Sequence, residues 1–283
     1  MTMKIGRWQV DTVLEGTFLL DGGSMFGIVP KTLWQRYHPS DANNRIVMAL
    51  RVLVCRSEDR CIVVDCGLGR RFTGKQEEIY GYTPHQGGLL AGLGRLGIEP
   101  EQVTDVVASH LHFDHMGGLL QPVDGGGLEP VFPRARLHVQ KECWDWARSP
   151  SDWDRASFIR GDFDIWQERL ELNLFHGEQE IAPGILAMPA PGHTPGHQIV
   201  IVRGAGGGLV FCADLIPTAT HVRLPYIMAY DHKPVVTLEQ KKLLLARALE
   251  EGWILVFEHD PAVVACRVGE KDGRPVCGEH IEL

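Results

Sequence analysis

A cluster of metal-ligand residue types lies between Ser109 and Gly118, where the sequence reads SHLHFDHMGG. Histidine imidazoles and aspartate carboxylates are good ligands for zinc and similar divalent ions. Histidines two positions apart on an extended backbone point to the same side, whereas residues after a turn can point to a second position. Because a single ion rarely takes four ligands packed this closely, the spacing predicts two metal ions. The four residues are His110, His112, Asp114 and His115.

Three further residues of the same chemical types each follow a short apolar run later in the chain. Their motifs are PGHTPGH, VFCADL and VFEHDP, which contribute His193, Asp214 and His259. Apolar runs of this length predict buried strands, and strand ends on a common sheet edge would bring these distant side chains together. The seven residues therefore predict one dinuclear metal site.

Short strands and helices must hold these residues in place. Helices are predicted over 89–96 and over 237–251, the second with a capping box formed by Thr237 and Gln240 and a stop at Gly252. Two β-rich halves that each carry helices predict two packed sheets with helices outside. The apolar runs that predict buried strands are 46–55, 61–65, 103–108, 185–188, 198–202, 209–212 and 253–257.

The pattern predicts one domain over residues 1–283. The stretch 121–171 fits the pattern least well and is rich in Trp, Asp, Arg and Gly, so we expect an inserted loop or a lid over the site within it.

The composition limits partners and compartment. A net charge of −8 argues against nucleic acid, because phosphate binding requires clustered Lys and Arg. Seven cysteines without C-x-x-C spacing favour free thiols, as in a cytosolic protein. The chain shows neither an apolar leader nor a run of membrane-spanning length, so a cytoplasmic protein with no membrane partner is predicted.

The motifs also occur in the order of a known family. VVDCG at 63–67, HLHFDH at 110–115 and GHTPGH at 192–197 are followed by the isolated Asp214 and the late His259. With these motifs, the chain resembles the metallo-β-lactamase superfamily over most of its length. The resemblance implies an α+β fold, a four-layer αββα sandwich, with the site on one edge.

The same resemblance implies which residues share an ion. In the family pattern, one ion has the ligands His110, His112 and His193, the second has Asp114, His115 and His259, and Asp214 bridges them. The ions would be two divalent cations, first of all zinc, with manganese, iron or cobalt as alternatives. Asp65 would support the histidine loop from behind, as residues outside a ligand shell do, and His197 would be a structural hydrogen-bonding residue.

Within the superfamily, the chain resembles N-acyl-homoserine lactonases and methyl-parathion-hydrolase-like enzymes. His112 stands where flavodiiron enzymes have Glu, which disfavours redox chemistry on iron. One feature departs from the lactonases, which carry a Tyr shortly after the bridging Asp. Here residues 215–218 read LIPT, and the nearest downstream tyrosine is Tyr226.

Four residues are candidates for substrate contact: Met25, Phe26, His221 and Tyr226. The apolar stretch that contains Met25 and Phe26 could line a substrate pocket, form a homodimer contact or pack in the core. His221 and Tyr226 follow Asp214 closely in sequence, and ordinary loop roles are the alternative for both.

Two divalent ions lower the pKa of a shared water and supply hydroxide at neutral pH. We therefore predict a metal-dependent hydrolase in which this hydroxide attacks a neutral ester or lactone, with phosphotriesters as further substrates. Asp114 is the predicted catalytic residue, which orients the nucleophile and passes its proton to the leaving group. The alternatives on the same fold are a phosphodiesterase, a thioesterase or a non-catalytic metal-binding sensor. The expected partner is a small-molecule substrate.

Overall fold

The computed structural model describes residues 2–283, which form two large β-sheets, one small hairpin and eight α-helices. The strands are β1 (Met3–Ile5), β2 (Trp8–Asp21), β3 (Arg45–Arg56), β4 (Cys61–Val64), β5 (Thr83–Pro84), β6 (Asp105–Val107), β7 (Leu120–Pro122), β8 (Leu128–Pro130), β9 (Arg136–Gln140), β10 (Glu171–Phe175), β11 (Gln179–Ala182), β12 (Ile185–Pro189), β13 (Gln198–Gly204), β14 (Gly207–Phe211), β15 (Ile254–Val256), β16 (Ala265–Lys271) and β17 (Arg274–Ile281). The helices are α1 (Gly22–Phe26), α2 (Lys31–Trp34), α3 (Lys75–Tyr80), α4 (Leu89–Arg95), α5 (Phe113–Met116), α6 (Lys141–Arg148), α7 (Asp162–Arg169) and α8 (Pro234–Glu251).

The first sheet has eight strands, in the order β1-β2-β3-β4-β6-β9-β10, with β5 paired to β2. The second sheet has seven strands, β11 to β17, in sequence order. Parallel pairs lie where the site will form. Val64 of β4 lies opposite Val107 of β6, and Phe211 of β14 lies opposite Val256 of β15. Each pair therefore ends at a single sheet edge, and the residues that follow leave the sheet side by side.

Three apolar clusters separate four layers. One cluster lies between the sheets and joins residues such as Val64 of β4 to Phe211 of β14. A second lies between the outer face of the first sheet and helices α4, α6 and α7. A third lies between the outer face of the second sheet and α8, through Leu245. The predicted αββα sandwich is therefore confirmed, because each sheet buries both faces.

The predicted strands match observed ones, with ends that differ by a few residues. The long strand β2 and the final hairpin β16–β17 were not predicted. The predicted capping box of α8 is wrong, because α8 begins at Pro234 and Thr237 lies inside it, with its amide bonded to the Lys233 carbonyl at 3.0 Å. Proline at the first helical position has the backbone angle that a helix start requires.

Residues 121–171 contain several kinds of structure. β9 lies within the first sheet, parallel to β6 and β10, so this part of the stretch belongs to the sandwich. Helices α6 and α7 cover the outer face of that sheet. The stretch between them carries Trp153 and Asp154 to the wall of the cleft described below. A lid function for this stretch, and a single domain over 1–283, stay predictions, and Met1 lies outside the described residues.

All seven cysteines are free thiols, and six of them are buried. Among the described residues, no helix combines the length and the apolar character needed to cross a bilayer.

Candidate metal centre

The backbone turns sharply where the candidate ligands leave the sheets. Asp65, directly after β4, has φ +60°, and Ala213, directly before Asp214, has φ +43°. Positive φ is uncommon for residues other than glycine, because the Cβ atom crowds the backbone. Both turns are fixed by their neighbours, since the Asp65 amide donates to the Val107 carbonyl at 3.0 Å and the Cys212 amide donates to the Val256 carbonyl at 3.1 Å. The ends of the two parallel strand pairs therefore direct Asp214 into the site and place Asp65 directly behind it.

The first ligand set consists of three imidazole nitrogens and one carboxylate oxygen, all within 4.8 Å of one another. Nε2 of His110 lies 2.9 Å from Nδ1 of His112, and Nε2 of His193 lies 3.3 Å from that same Nδ1. Oδ2 of Asp214 lies 3.0 Å from Nε2 of His193 and 3.7 Å from Nε2 of His110. These side chains are buried, so four electron-donor atoms converge on one point that protein groups enclose.

The second set lies beside the first. Nε2 of His115 and Nε2 of His259 are 3.3 Å apart, and Oδ2 of Asp114 lies 3.8 Å from the former and 3.7 Å from the latter. Asp214 reaches this set as well, with Oδ2 at 3.4 Å from His115 Nε2 and Oδ1 at 3.2 Å from His259 Nε2. Asp214 thus touches both sets, as a bridging carboxylate would.

Hydrogen bonds on the far side of the imidazole rings fix which nitrogen faces inward. Nδ1 of His193 lies 2.9 Å from a carboxylate oxygen of Asp231, and Nδ1 of His259 lies 2.8 Å from the carbonyl oxygen of Ala49. These oxygens only accept hydrogen bonds, so the outer nitrogens carry the protons. The inner nitrogens are therefore the ones available to bind an ion, which is the ring orientation that metal ligation requires.

His115 has two acidic neighbours behind it. Its Nδ1 lies 3.0 Å from Oδ2 of Asp65 and 3.0 Å from Oε2 of Glu258, and all three side chains are fully buried. Burial raises the pKa of Glu258 to about 8. Asp65 also accepts from the Ser109 amide at 2.7 Å and from its hydroxyl at 2.6 Å, so it holds the strand end that leads to His110. We interpret this group as the support of His115 rather than as a third metal site.

His197 supports the bridging residue. Its Nδ1 donates to the carbonyl oxygen of Ala190 at 2.9 Å, and its Nε2 accepts from the backbone amide of Asp214 at 3.2 Å. Burial lowers the pKa of His197 to about 3, so the ring stays neutral and keeps its acceptor nitrogen. The structure thus places Asp65 and His197 behind the clusters.

The donor set fits a pair of divalent cations. Burial and the neighbouring imidazoles hold the pKa values of His110 and His112 well below the usual range, so both rings are neutral and have free lone pairs. Burial opposes the charge of Asp214, but His193 and the other imidazoles outweigh it and hold the pKa of this carboxyl well below its usual value. Oδ1 of Asp214 is buried and lies 3.2 Å from Nε2 of His259, but it makes no well-aligned hydrogen bond to residues 2–283. A buried, ionised carboxylate of this kind is well suited to bind a cation.

A cleft with a volume of about 130 Å³ opens onto the two sets. Aliphatic and aromatic side chains form most of its walls. The residues outside the ligand sets are Leu20, Met25, Tyr80, Phe113, Trp153, Asp154, Ser157, Met228 and Tyr230.

The four candidate substrate residues separate into two groups. Met25 lies on the cleft wall. The expectation of substrate contact is not met by Phe26, whose ring stacks on His221 and Trp34 at 4.8 and 5.2 Å in a buried cluster. His221 is held between the Thr218 hydroxyl and the Met25 carbonyl, at 2.7 and 2.9 Å. Tyr226 belongs to the same buried cluster, so these three residues build the wall from behind.

Several residues of the site were missed by sequence reasoning. Glu258 directly precedes His259, so its position in the chain was a usable signal. Asp231 follows His193 by 38 positions and no local pattern marks it. Tyr80 and Tyr230 bring phenol groups to the cleft, although residues 215–218 carry none. Asp231, Tyr80 and Tyr230 lie far from the histidine motifs in sequence, so tertiary packing alone brings them to the site.

Comparisons with known proteins show the family to which the chain belongs. A family model described as the metallo-beta-lactamase superfamily matches residues 50–259. The chain is 31% identical to N-acyl homoserine lactonase AttM of Azorhizobium caulinodans over 180 residues, which are 62% of this chain and 64% of that protein. It is 27% identical to N-acyl homoserine lactonase of Bacillus cereus over 175 residues, 61% and 62% of the two chains. The chain thus spans less than two thirds of the length of these relatives.

Solved structures resemble the chain over nearly its full length. The crystal structure of a probable metal-dependent hydrolase from Staphylococcus aureus has a TM-score of 0.84 at 25% identity and covers 99% of this chain and 100% of its own. AidC, described as a dizinc quorum-quenching lactonase in complex with a product, has a TM-score of 0.79 at 20% identity and covers 100% and 97%. The second likeness concerns the fold alone.

Proposed function

The chain belongs to the metallo-β-lactamase superfamily, and from that premise we propose that it is a metal-dependent hydrolase that cleaves a neutral lactone or ester. The family resemblance drawn from the motifs is thereby confirmed. The lactonase names of the relatives make a lactone the first choice of substrate. A neutral phosphotriester is a further candidate.

The proposal rests mainly on the chemical character of the side chains that form the walls of the cleft. Among residues 2–283, no Lys or Arg lines it, and the charged group outside the ligand sets is the carboxylate of Asp154. An anionic phosphodiester would meet Asp154 and Asp114 without a compensating cation from a side chain. Neutral acyl or aryl groups would instead cover apolar surface on Phe113 and Met228, at roughly 25 cal/mol per Å².

The cleft is small compared with the roughly 300–1,000 Å³ of sites that enclose a drug-sized ligand. With about 130 Å³, it would enclose the ring or ester group that reacts, while a longer acyl part would extend past its mouth. Trp153 lies at the cleft with 71% of its surface exposed, so a substrate that extends outward would cover it.

We propose that the two sets hold two divalent ions, with Asp214 between them. When bound, such ions polarise a substrate oxygen and lower the pKa of the attacking water. His193 and His259 are held in place from outside, through Asp231 and Ala49, so that the inner donors are set before substrate arrives.

Asp114 is the proposed proton carrier. Its carboxylate lines the cleft next to the second set, where it can accept a proton from the attacking water and pass it to the leaving oxygen. Tyr230 is a second polar group on the wall. A phenol hydroxyl keeps its proton at neutral pH, so Tyr230 can donate a hydrogen bond to a substrate oxygen.

The proposal is tested by metal content and substrate preference in one preparation. We expect two equivalents of divalent metal in active protein and loss of turnover after chelation, with recovery on addition of zinc, cobalt or manganese. Specificity constants would then be compared for N-acyl homoserine lactones, aryl esters, a phosphotriester and bis(4-nitrophenyl) phosphate. The Asp114→Asn variant should lose turnover, and its metal content would be measured on the same sample because Asp114 is also a proposed ligand of the second set.

Two results would refute the proposal. One is a metal content of one equivalent or less in fully active protein. The other is faster turnover of the phosphodiester than of every neutral substrate.

A further inference from the structure

A buried carboxyl group lies behind the metal-binding loop, on the side away from the ligands. Glu15 is located in β2, where the register with β3 shifts between Leu14 and Gly16, and it is 2% exposed. The Tyr82 hydroxyl donates a hydrogen bond to its Oε1. Its Oε2 is buried and accepts no well-aligned hydrogen bond from the described part of the chain. Burying a carboxyl group in this way costs free energy, so the contacts that it makes there need an explanation.

The carboxyl group packs directly on the loop that follows β4. Gly67 has φ +69°, and a Cβ atom there would lie 2.9 Å from Oε2 of Glu15, so no side chain fits between them. Burial raises the pKa of Glu15 to about 7, against the lowering effect of the Tyr82 hydroxyl and of the nearby backbone amides of Gly69 and Leu68. Glu15 therefore attracts the loop through its amides and limits how far the loop can move.

The opposite side of the same loop packs on the backbone that follows the metal ligands. The Cys66 amide donates to the carbonyl oxygen of His115 at 2.6 Å, and the Gly118 amide donates to the carbonyl oxygen of Gly67 at 2.9 Å. A Cβ atom on Gly118 would lie 2.2 Å from the Cys66 carbonyl oxygen. Backbone thus touches backbone, and a shift of the loop must shift His115.

We propose that Glu15, held by Tyr82, is a positioning residue that fixes residues 65–69 and thereby the inner nitrogen of His115. The inference rests on the proposed ligand sets. It predicts unequal effects on the two sets, because the loop bonds directly to the backbone of His115 at 2.6 Å, whereas it reaches the first set only through Asp65 and Ser109. His193 is held by Asp231, and His112 packs on Phe158 with ring centroids 4.9 Å apart. The set that contains His115 should depend on Glu15 more strongly.

The experiment is a titration of the metal-free protein with Co²⁺, followed by visible absorption, which reports ligand geometry without any substrate. The Glu15→Gln and Tyr82→Phe variants would be compared with the wild type. A His259→Ala variant identifies the absorption band of the second set. We expect both test variants to bind Co²⁺ at the second set roughly tenfold more weakly, at the lower end of the effect of groups that support ligands. The first set should keep its affinity.

Asp105→Asn is the matched control. Asp105 is 3% exposed and is held by Arg60 and His138, at the end of β6 opposite to the ligands. Its replacement should lower stability and leave the ratio of the two affinities unchanged, as a merely structural residue would.

Tyr82→Phe removes only one hydroxyl, so this variant tests the inference if Glu15→Gln does not fold. Two Co²⁺ ions bound by a folded variant as tightly as by the wild type would overturn this inference and leave the proposed function intact. Equal weakening of both sets would also overturn it. If the wild-type protein bound only one Co²⁺, the proposal of a dinuclear centre would be wrong, and this inference would fail with it.

Discussion

Nδ1 of His193 lies 2.9 Å from Oδ1 of Asp231, and both side chains are buried. Asp231 belongs to the segment that also carries Met228 and Tyr230 to the cleft wall. The same segment is tied to α1 by a hydrogen bond from the Ala229 amide to the Ser24 carbonyl at 2.8 Å. The orientation of one proposed ligand and the shape of the cleft therefore depend on a single loop.

Replacing Asp231 by Ala should weaken metal binding at the first set. The imidazole of His193 would lose the acceptor that fixes its tautomer, and loss of such a partner typically costs 10- to 100-fold in affinity, so we expect roughly tenfold or more. Competition with a chromogenic chelator measures this. Asp231→Asn keeps an acceptor oxygen and should lose less than Asp231→Ala. Equal affinity of Asp231→Ala and the wild type would mean that this hydrogen bond does not orient the ligand.

Replacing Asp214 by Ala should remove nearly all turnover, by roughly 10²–10³-fold or more, the loss typical of a group that stabilises charge at a reacting centre. Asp214 touches both ligand sets, so its loss should also disturb the spacing of the ions. Metal analysis and turnover of one lactone would be measured on the same sample. Asp105→Asn serves as a buried carboxylate remote from the site. Wild-type turnover in Asp214→Ala would reject the bridging role.

The buried His221 should make the fold less stable in acid. Burial lowers the pKa of His221 to about 3, whereas the unfolded chain has the ordinary value of 6.5. The unfolded state therefore binds more protons below pH 6.5, and this contribution to stability is lost as the pH falls from about 6.5 toward 3. Between pH 7 and pH 5, the loss from this residue should be about 2 kcal/mol.

Urea unfolding of metal-free wild type and of His221→Gln at both pH values measures this difference. Glutamine can still donate to the Met25 carbonyl but does not titrate in this range. The variant should lose about 2 kcal/mol less than the wild type between the two pH values. Parallel pH profiles of the two proteins would show that His221 takes up no proton on unfolding.

Replacing Lys241 by Met should loosen the segment that forms the cleft wall. The Lys241 side chain is fully buried in α8, and its Nζ donates to the carbonyl oxygens of Arg223 and Tyr226 at 3.0 and 2.6 Å. These carbonyls would lose their donor, at a cost of about 2–4 kcal/mol for the two. Chemical unfolding gives the stability, and KM for the preferred substrate should rise because Met228 and Tyr230 lie on the same segment.

Lys242→Met is the control for this prediction. Lys242 is exposed and pairs with Glu239 on the surface of α8, so its loss should change stability by less than about 1 kcal/mol. A similar stability loss in both variants would show that the carbonyl contacts of Lys241 contribute nothing specific.

The sequence predicted the αββα sandwich and the family, because the evidence for both is local. Each candidate ligand lies in the short segment that follows an apolar strand, so the strand pattern and the ligand motif reinforce each other over a few residues. The strand β2 was missed, because acidic residues such as Asp11 and Glu15 interrupt its apolar pattern. They are buried there because partners from elsewhere in the chain, Arg56 and Tyr82, meet them.

The sequence by itself determined which seven residues are candidates for the metal centre and in which order strands present them. Tertiary structure alone decided which imidazole nitrogen faces inward and that Tyr230 rather than Tyr226 lies on the cleft wall. The physical reason is the range of the interactions. Strand patterns arise between neighbouring residues, whereas ring orientation and wall composition depend on hydrogen bonds and packing between segments far apart in the chain, such as that between Asp231 and His193.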